Sequence, residues 1–341
     1  MKFVNLPKEL SRKFYKKCKN EFIELCRKNS DIVSVYEAGS VSVPGISDLD
    51  FILCLKDKLK NKKEVIENQL TNGLKDIIGE GSILKINKAN FSNLKLWDDF
   101  TMRYLYGGKF KFAEFNSKEF EICRILDWLP ERLHSLLKFK KERKINVTRG
   151  LQLIKSASVS LDKLSKLTGS VRYESLSKDI KKLRSNWFKN KNENNLRDFR
   201  NLLEKSADTI LDAINEMDKF LIKNNYIFGD FSKAGESFKI KNGPEFFFGQ
   251  EVEIREGKIF LPRSFFFFFA AQTLLGDGFI SDNLKKSFDK KLPRLAIKGH
   301  INKKLLGVMK KRAQYIDRVA NFFKKNEIKK GLLKYGWFLK G

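Results

Sequence analysis

Two aspartates separated by a single residue open one of the most apolar segments of this chain. Asp48 and Asp50 flank Leu49 and lead directly into the run Phe51–Leu55. Residues i and i+2 of a β-strand point to the same face, so we expect both carboxylates to project together from the start of a buried strand. Two unpaired carboxylates that close repel each other and are costly to desolvate, and a divalent cation relieves both penalties. The pair therefore predicts a Mg²⁺ (or Mn²⁺) site of the kind used in phosphoryl and nucleotidyl transfer.

A Gly-Ser pair precedes the aspartates. The β-rich run that begins at Ile32 ends in Gly39-Ser40, and seven residues separate Ser40 from Asp48. With the Asp-x-Asp strand, this segment resembles the signature of the polymerase-β-like nucleotidyltransferase superfamily. That signature is an apolar strand, Gly-Ser, a short helix or loop, and Asp-apolar-Asp at the start of the next strand. The stretch Pro44–Asp50 is most similar to the small-molecule branch, such as the aminoglycoside nucleotidyltransferases, although the spacing is shorter than is usual there.

The resemblance implies a role for each matched residue. In the family, Gly-Ser binds the triphosphate of an NTP and the two acids bind metal, which maps onto Gly39, Ser40, Asp48 and Asp50. The implied reaction is metal-assisted attack of an acceptor hydroxyl on the α-phosphate, with release of pyrophosphate. The simpler alternative is that these residues belong to an ordinary strand–turn–strand.

A third acid usually completes such a site, on a later strand beside the Asp-x-Asp strand, where it binds a second metal or acts as base. The predicted strand 83–86 has Lys85 where an acid is expected. Glu114 and Glu121, on the two arms of a predicted hairpin, and Asp127 at its end are the candidates. Glu114 is preferred because it lies among apolar residues in an extended segment. Each of the three has the alternative of being an ordinary solvated residue.

The charge of the chain favours polyanions. Its 341 residues include 69 Lys and Arg against 41 Asp and Glu, a formal net charge of +28. Such a field attracts nucleic acid, nucleotides or acidic lipid headgroups. The alternative is compositional bias, since most of the basic residues are Lys and since Asn, Ile and Phe are also abundant. The basic face of the last predicted helix is the first candidate patch for RNA: Lys304, Lys310, Lys311 and Arg318.

The cysteines and histidines give little sign of a zinc site. Four cysteines without close pairing indicate reduced, buried thiols of a cytoplasmic protein: Cys18, Cys26, Cys54 and Cys123. The two histidines, His134 and His300, are expected to be surface or capping residues. Charge begins almost at the N-terminus, so no signal peptide is expected. The apolar run 265–275 is too short to span a bilayer, and we expect no stable membrane insertion.

Periodicity divides the chain into two predicted domains. Residues 1–128 form an α/β (α+β) nucleotidyltransferase-like domain with a mixed sheet, and residues 129–341 form a mostly helical domain. The predicted elements are helices at 7–28, 63–78 (capped by Gly79), 147–168, 195–223 and 303–326, strands at 32–38, 49–56 and 83–86, and hairpins at 110–126 and near 250–262. Residues 102–106 are ambiguous.

Together these observations predict a metal-dependent nucleotidyltransferase that uses an NTP. The motif favours a small-molecule acceptor, whereas the charge favours an RNA 3′ end. A third hypothesis is a catalytically inactive, nucleic-acid-binding adaptor on the same fold. The acceptor, the preferred NTP and the oligomeric state are left open by the sequence.

Overall fold

The computed structural model describes residues 2–60, 66, 69–78, 82–189, 193–229, 237–239, 245–275 and 299–326. Over these residues the protein is mixed α/β. The chain divides into two compact units. Of the described residues, the first unit contains Asn116–Ala313 with the N-terminal residues up to Pro7, and the second contains Lys8–Phe115 with residues 314–326.

The described strands, in chain order, are β1 (Lys2–Val4), β2 (Ile32–Ala38), β3 (Asp50–Leu55), β4 (Ile83–Asn87), β5 (Met102–Gly107), β6 (Lys144–Asn146), β7 (Ser237–Lys239), β8 (Glu245–Gly249), β9 (Glu253–Arg255) and β10 (Lys258–Pro262). The described α-helices are α1 (Arg12–Lys28), α2 (Asn72–Ile77), α3 (Lys88–Phe91), α4 (Lys118–Lys140), α5 (Val147–Thr168), α6 (Glu174–Asn186), α7 (Glu193–Lys223), α8 (Arg263–Leu275) and α9 (Lys303–Lys325).

The second unit is built on a mixed four-stranded sheet in the order β4-β3-β2-β5. Strand β2 pairs antiparallel with both β3 and β5, whereas β3 and β4 are parallel. Helix α1 packs on one face, where Phe22 stacks on Phe51 with ring centroids 3.9 Å apart. The ambiguous segment 102–106 is thus the edge strand β5. The mixed sheet predicted for the N-terminal part of the chain is present.

The opposite face of this sheet is covered by aromatic side chains. Tyr36 on β2 packs edge-on against Phe112, with ring centroids 5.3 Å apart, and against Phe91 of α3 at 5.5 Å. Phe112 lies in the irregular segment 108–117, which follows β5. The half-buried aromatic residues of this segment therefore cover this face of the sheet without forming a strand.

The hairpin predicted over 110–126 is wrong, because its second arm is the start of the long helix α4. Phe120, Ile122, Cys123, Ile125 and Leu126 are all buried, and Arg124 is buried with them. A short, mostly apolar segment does not distinguish a buried strand from a buried helix. Position 128, where the sequence predicts a domain boundary, lies inside the same helix.

The first unit packs α4, α5, α6 and α7 together beside a second four-stranded sheet, in the order β7-β8-β10-β9. Its strands β9 and β10 form the antiparallel hairpin expected near 250–262. Helix α5 ends at Thr168, as the sequence predicts, and Gly169 follows it as a left-handed C-cap with φ +77°. The apolar run 265–275 forms the buried helix α8.

Two helix boundaries differ from the prediction. Helix α1 begins at Arg12 rather than residue 7, because the hydroxyl of Ser11 accepts a hydrogen bond from the backbone N–H of Phe14 as an N-cap. Of the predicted helix 63–78, the described part is Asn72–Ile77, and its predicted cap Gly79 lies outside the described residues. Among the described helices, none is long and apolar enough to cross a membrane.

Candidate functional site

The Gly-Ser turn and the Asp-x-Asp segment meet at one edge of the second unit's sheet. Ala38, the last residue of β2, lies opposite Asp50, the first residue of β3. Gly39 follows with φ +67°, and its backbone N–H donates to the carbonyl of Thr101 at 2.9 Å. The Gly-Ser turn therefore follows β2 at the edge of the sheet where the acid-bearing segment begins β3.

Burial alternates along the acid-bearing segment. Leu49 is buried, and its backbone N–H donates to the carbonyl of Ile77 at 2.9 Å. Asp48 and Asp50, on either side, are both half-buried. This alternation agrees with the extended geometry from which a shared direction of the two carboxylates was predicted.

Tyr15 of α1 supports the loop between the two motifs. Its hydroxyl donates to the carbonyl of Ser47 and accepts from the backbone N–H of Gly45 at 3.0 Å. Burial raises the pKa of Tyr15, the Gly45 hydrogen bond opposes this rise, and the nearby carboxylate of Asp48 adds to it. The hydroxyl therefore stays protonated and able to donate at neutral pH. Sequence reasoning missed this role, because Tyr15 looks like one more apolar position on an amphipathic helix.

A groove of about 780 Å³ lies between α1 and the β2–β5 side of the sheet. Its lining residues, which include the predicted Gly39 and Ser40, are Arg12, Tyr15, Lys16, Lys19, Asn20, Ile23, Glu37, Gly39, Ser40, Val41, Thr101, Arg103 and Leu105. Four of these side chains are cationic and one is a carboxylate. Asp48, Asp50 and Glu114 do not line it. Strand alternation explains why, since Ala38 and Asp50 lie on the face opposite to Glu37.

Glu37 is the one acid of this groove and is fully engaged. Its carboxylate accepts from Lys19 Nζ at 2.8 and 2.7 Å and from the guanidinium of Arg103. The side chain of Glu37 is only 4% exposed, whereas that of Arg103 is 66% exposed. The groove thus keeps an excess of positive charge. A Glu inside an otherwise apolar strand was the available signal for this cluster.

The three candidates for the third acid each have a cationic partner. Glu114 accepts from Lys95 Nζ at 2.6 and 2.8 Å and is exposed. Glu121 pairs with Arg124 on α4. Asp127 belongs to the first unit, where it pairs with Arg312. The structure therefore places the candidates in three separate ion pairs.

The donor set of the Asp pair suits a cation that arrives with phosphate. Among the described residues, no group of three or more His, Cys, Asp or Glu side chains is placed to hold a metal ion. Asp48 and Asp50 supply two carboxylates, and Mg²⁺ is commonly bound by one or two carboxylates together with substrate phosphates and water. The residues therefore fit a metal–nucleotide complex better than a metal held by protein ligands alone.

A second cavity, of about 540 Å³, lies where β3 and β4 end. Its lining residues are Asp57, Lys58, Leu59, Asn87, Arg318, Asn321, Phe322, Lys325 and Asn326. Arg318, part of the predicted RNA patch, donates here to Asn90 Oδ1 at 3.2 Å. The other three residues of that patch, Lys304, Lys310 and Lys311, are exposed on α9.

Comparisons with known proteins identify no relative. No protein-family model matches the chain, and neither the search of curated proteins nor that of solved structures gave a significant match. The site is therefore interpreted from its own residues.

Proposed function

We propose that this chain is a metal-dependent nucleotidyltransferase of the polymerase-β-like type, which moves an NMP from an NTP onto an acceptor hydroxyl. The observation that supports it is the register pair Ala38–Asp50. Through this pair, antiparallel strands bring the Gly-Ser turn and the two half-buried acids of the motif to the same edge of the sheet. The acceptor favoured by the motif is a small molecule.

In this proposal Asp48 and Asp50 hold Mg²⁺ or Mn²⁺. The bound ion supplies positive charge to the phosphate oxygens of the NTP. Leu49 anchors the segment in the core, and Tyr15 fixes the preceding loop through Ser47 and Gly45, so both acids are positioned by buried contacts. Such pre-organisation is what transfer of a phosphoryl group requires from a protein.

Gly39 and Ser40 are proposed to receive the triphosphate. A Cβ atom added to Gly39 would meet no protein atom within 4 Å, so the space beside this turn is open to a ligand. The hydroxyl of Ser40 is a suitable donor to phosphate oxygen. Ser40 is a binding residue in this account rather than a nucleophile.

Glu114 remains the proposed third acid, and its surroundings support a second candidate function. Strand β4, beside the Asp-x-Asp strand, contains neither Asp nor Glu, and Glu114 is an exposed partner of Lys95. A site with only two acids would bind the metal–nucleotide without transferring it. A chain with such an inactive site would be the nucleic-acid-binding adaptor, which uses the fold without catalysis.

Turnover distinguishes the two candidates. The protein is incubated with each α-labelled NTP, Mg²⁺ or Mn²⁺, and either a metabolite pool or total RNA, and the species that acquires label is identified. We expect label transfer by the wild type and its loss in Asp50→Asn. Loss in Glu114→Gln with unchanged NTP binding would assign Glu114 to the chemical step. RNA binding that weakens steeply with salt, without any label transfer, would support the adaptor instead.

A further inference from the structure

Three cations of α1 form a stripe along the groove. Arg12, Lys16 and Lys19 follow each other at intervals of four and three residues, so they share one face of the helix, and all three line the groove. At a rise of about 1.5 Å per residue, Arg12 and Lys19 are about 10 Å apart along the helix axis. Arg27, about two turns further along α1, lies outside the groove, with its guanidinium 5.3 Å from the ring centre of Tyr106 on β5.

The acids of α1 do not compensate this stripe. Glu21 accepts a hydrogen bond at 2.8 Å from Thr71, the N-cap of α2, and Glu24 pairs with Arg27 at the far end of the helix. Within the groove, Glu37 is already shared by Lys19 and Arg103. Arg12 and Lys16 are exposed, and both are oriented toward the groove that they line. The groove is therefore prepared for an anion.

Strand register gives the groove a direction. Strand β5 runs antiparallel to β2, so Met102 lies opposite Ala38 and Tyr106 lies opposite Val35. The groove thus extends from the Gly39–Ser40 turn along β5 to Leu105, and along α1 from Arg12 to Ile23. At a rise of about 1.5 Å per residue, the lining part of α1 is about 16 Å long, which matches a chain of phosphates better than a single phosphate group.

We infer that this groove binds single-stranded nucleic acid, with the phosphates of the strand along Arg12, Lys16 and Arg103. A narrow, positively charged groove that follows a backbone is the usual means of binding one strand. The inference goes beyond the proposed function and does not depend on it, because this binding needs neither metal nor NTP. It also moves the predicted RNA surface from α9 to α1.

A charge reversal on α1 with a matched control tests this assignment. The variant Arg12→Glu with Lys16→Glu changes two groove cations, whereas Lys13→Glu with Lys17→Glu makes the same charge change on exposed residues of the same helix that do not line the groove. Binding of a labelled oligouridylate of about twelve nucleotides is followed by fluorescence anisotropy at several salt concentrations. We expect the groove variant to bind about tenfold more weakly and its salt slope to fall by about 1.4, at about 0.7 per lost phosphate contact. Equal losses in both variants would overturn the inference.

The length of the ligand separates a nucleic acid from a triphosphate, which carries the same chemistry. Affinity should increase as the oligouridylate grows from about three to about twelve nucleotides. Inorganic triphosphate should compete weakly, because it would cover only the Gly39–Ser40 end of the groove. If the affinity for oligouridylate did not depend on its length and triphosphate competed strongly, the groove would be a triphosphate site only. Equal affinity for duplex RNA would refute single-strand binding. The variant Asp48→Asn with Asp50→Asn should retain RNA binding. A failure of the proposed nucleotidyltransferase function can therefore be distinguished from a failure of this RNA-binding inference.

Discussion

Asp127 Oδ2 lies 2.6 Å from a guanidinium nitrogen of Arg312, and both side chains are largely buried in the first unit. Gln272 donates to the other oxygen of the same carboxylate at 3.0 Å. This network joins α4, α8 and α9, which gives Asp127 a structural role that its sequence position after an apolar run did not indicate.

Removing one partner of this pair should destabilise the protein. Arg312→Leu leaves the Asp127 carboxylate buried without its guanidinium, and we expect a loss of about 3–5 kcal/mol in the free energy of unfolding. Replacing both residues by Leu should recover most of that loss. Urea unfolding measures both variants. A loss below about 1 kcal/mol in Arg312→Leu, as for a surface pair, would contradict this account.

Replacing either of two helix glycines by alanine should change the stability of the protein, in opposite directions at the two positions. A Cβ atom on Gly150 of α5 would lie 2.3 Å from the ring of Phe199 and 2.9 Å from that of Phe139. We expect Gly150→Ala to destabilise the protein by about 1–3 kcal/mol through overpacking. Gly307 of α9 has nothing within 4 Å of such an atom, so Gly307→Ala should stabilise by up to about 1 kcal/mol. Thermal unfolding of both variants checks the difference in sign.

Gly39 should be required for nucleotide binding. Its φ of +67° is unfavourable for a β-branched residue, and an added side chain would enter the open space proposed for phosphate. We expect Gly39→Val to raise the NTP dissociation constant about tenfold or more, equivalent to about 1.4 kcal/mol.

Two controls separate the ligand space from backbone strain. Asn tolerates the left-handed region, so Gly39→Asn should weaken NTP binding while leaving stability nearly unchanged. Gly108→Val also adds a side chain into open space in the same unit and should leave binding unaffected. Unchanged affinity in a folded Gly39→Val variant would mean that the turn is only a connector.

The buried thiols should make the protein less stable at alkaline pH. All four cysteines are free and buried, and burial raises the pKa of Cys54 and of Cys123 to about 12. In the unfolded chain a thiol titrates near pH 8.5, so the folded state binds more protons above that pH. Stability from these thiols is complete below about pH 8.5 and decreases as the pH rises toward 12, by about 1.4 kcal/mol per unit for each thiol.

Denaturation curves between pH 8 and 10 measure this slope. A variant with Cys54→Ala and Cys123→Ala should lose less stability over the same range. In the native protein at pH 8, a thiol reagent should react slowly with all four cysteines and rapidly after unfolding. Fast reaction of Cys54 or Cys123 in the folded protein would contradict the assigned burial.

The sequence predicted those parts of the fold whose signals are local. The helix over 147–168 and the strand that begins at Ile32 follow from short patterns, and both are present. The start of α4 was missed because residues 120–126 are mostly apolar and show no clear helical or strand periodicity. Whether an apolar segment pairs as a strand or packs as a helix is decided by its neighbours in space.

In the candidate site, too, the sequence indicates the residues of a local motif but not those brought near by the fold. Gly39, Ser40, Asp48 and Asp50 were found as a motif, because their spacing is local. Tyr15 and Arg103 were not found, because they reach the site from a helix and from an edge strand that are distant in sequence. Only the folded sheet brings them beside Glu37 and the Gly-Ser turn.

The most direct test of the central proposal is calorimetric titration of the protein with Mn²⁺–NTP and Mg²⁺–NTP. Asp48→Asn with Asp50→Asn removes the carboxylates and nearly preserves their shape, and Asp198→Asn with Asp208→Asn on α7 makes the same charge change at exposed positions of the other unit. We predict that the wild type and the α7 variant bind the metal–nucleotide, whereas the Asp48/Asp50 variant stays folded and loses this binding. Equal affinity in all three proteins, or no binding by the wild type, would contradict the assignment of this edge of the sheet as a metal–nucleotide site.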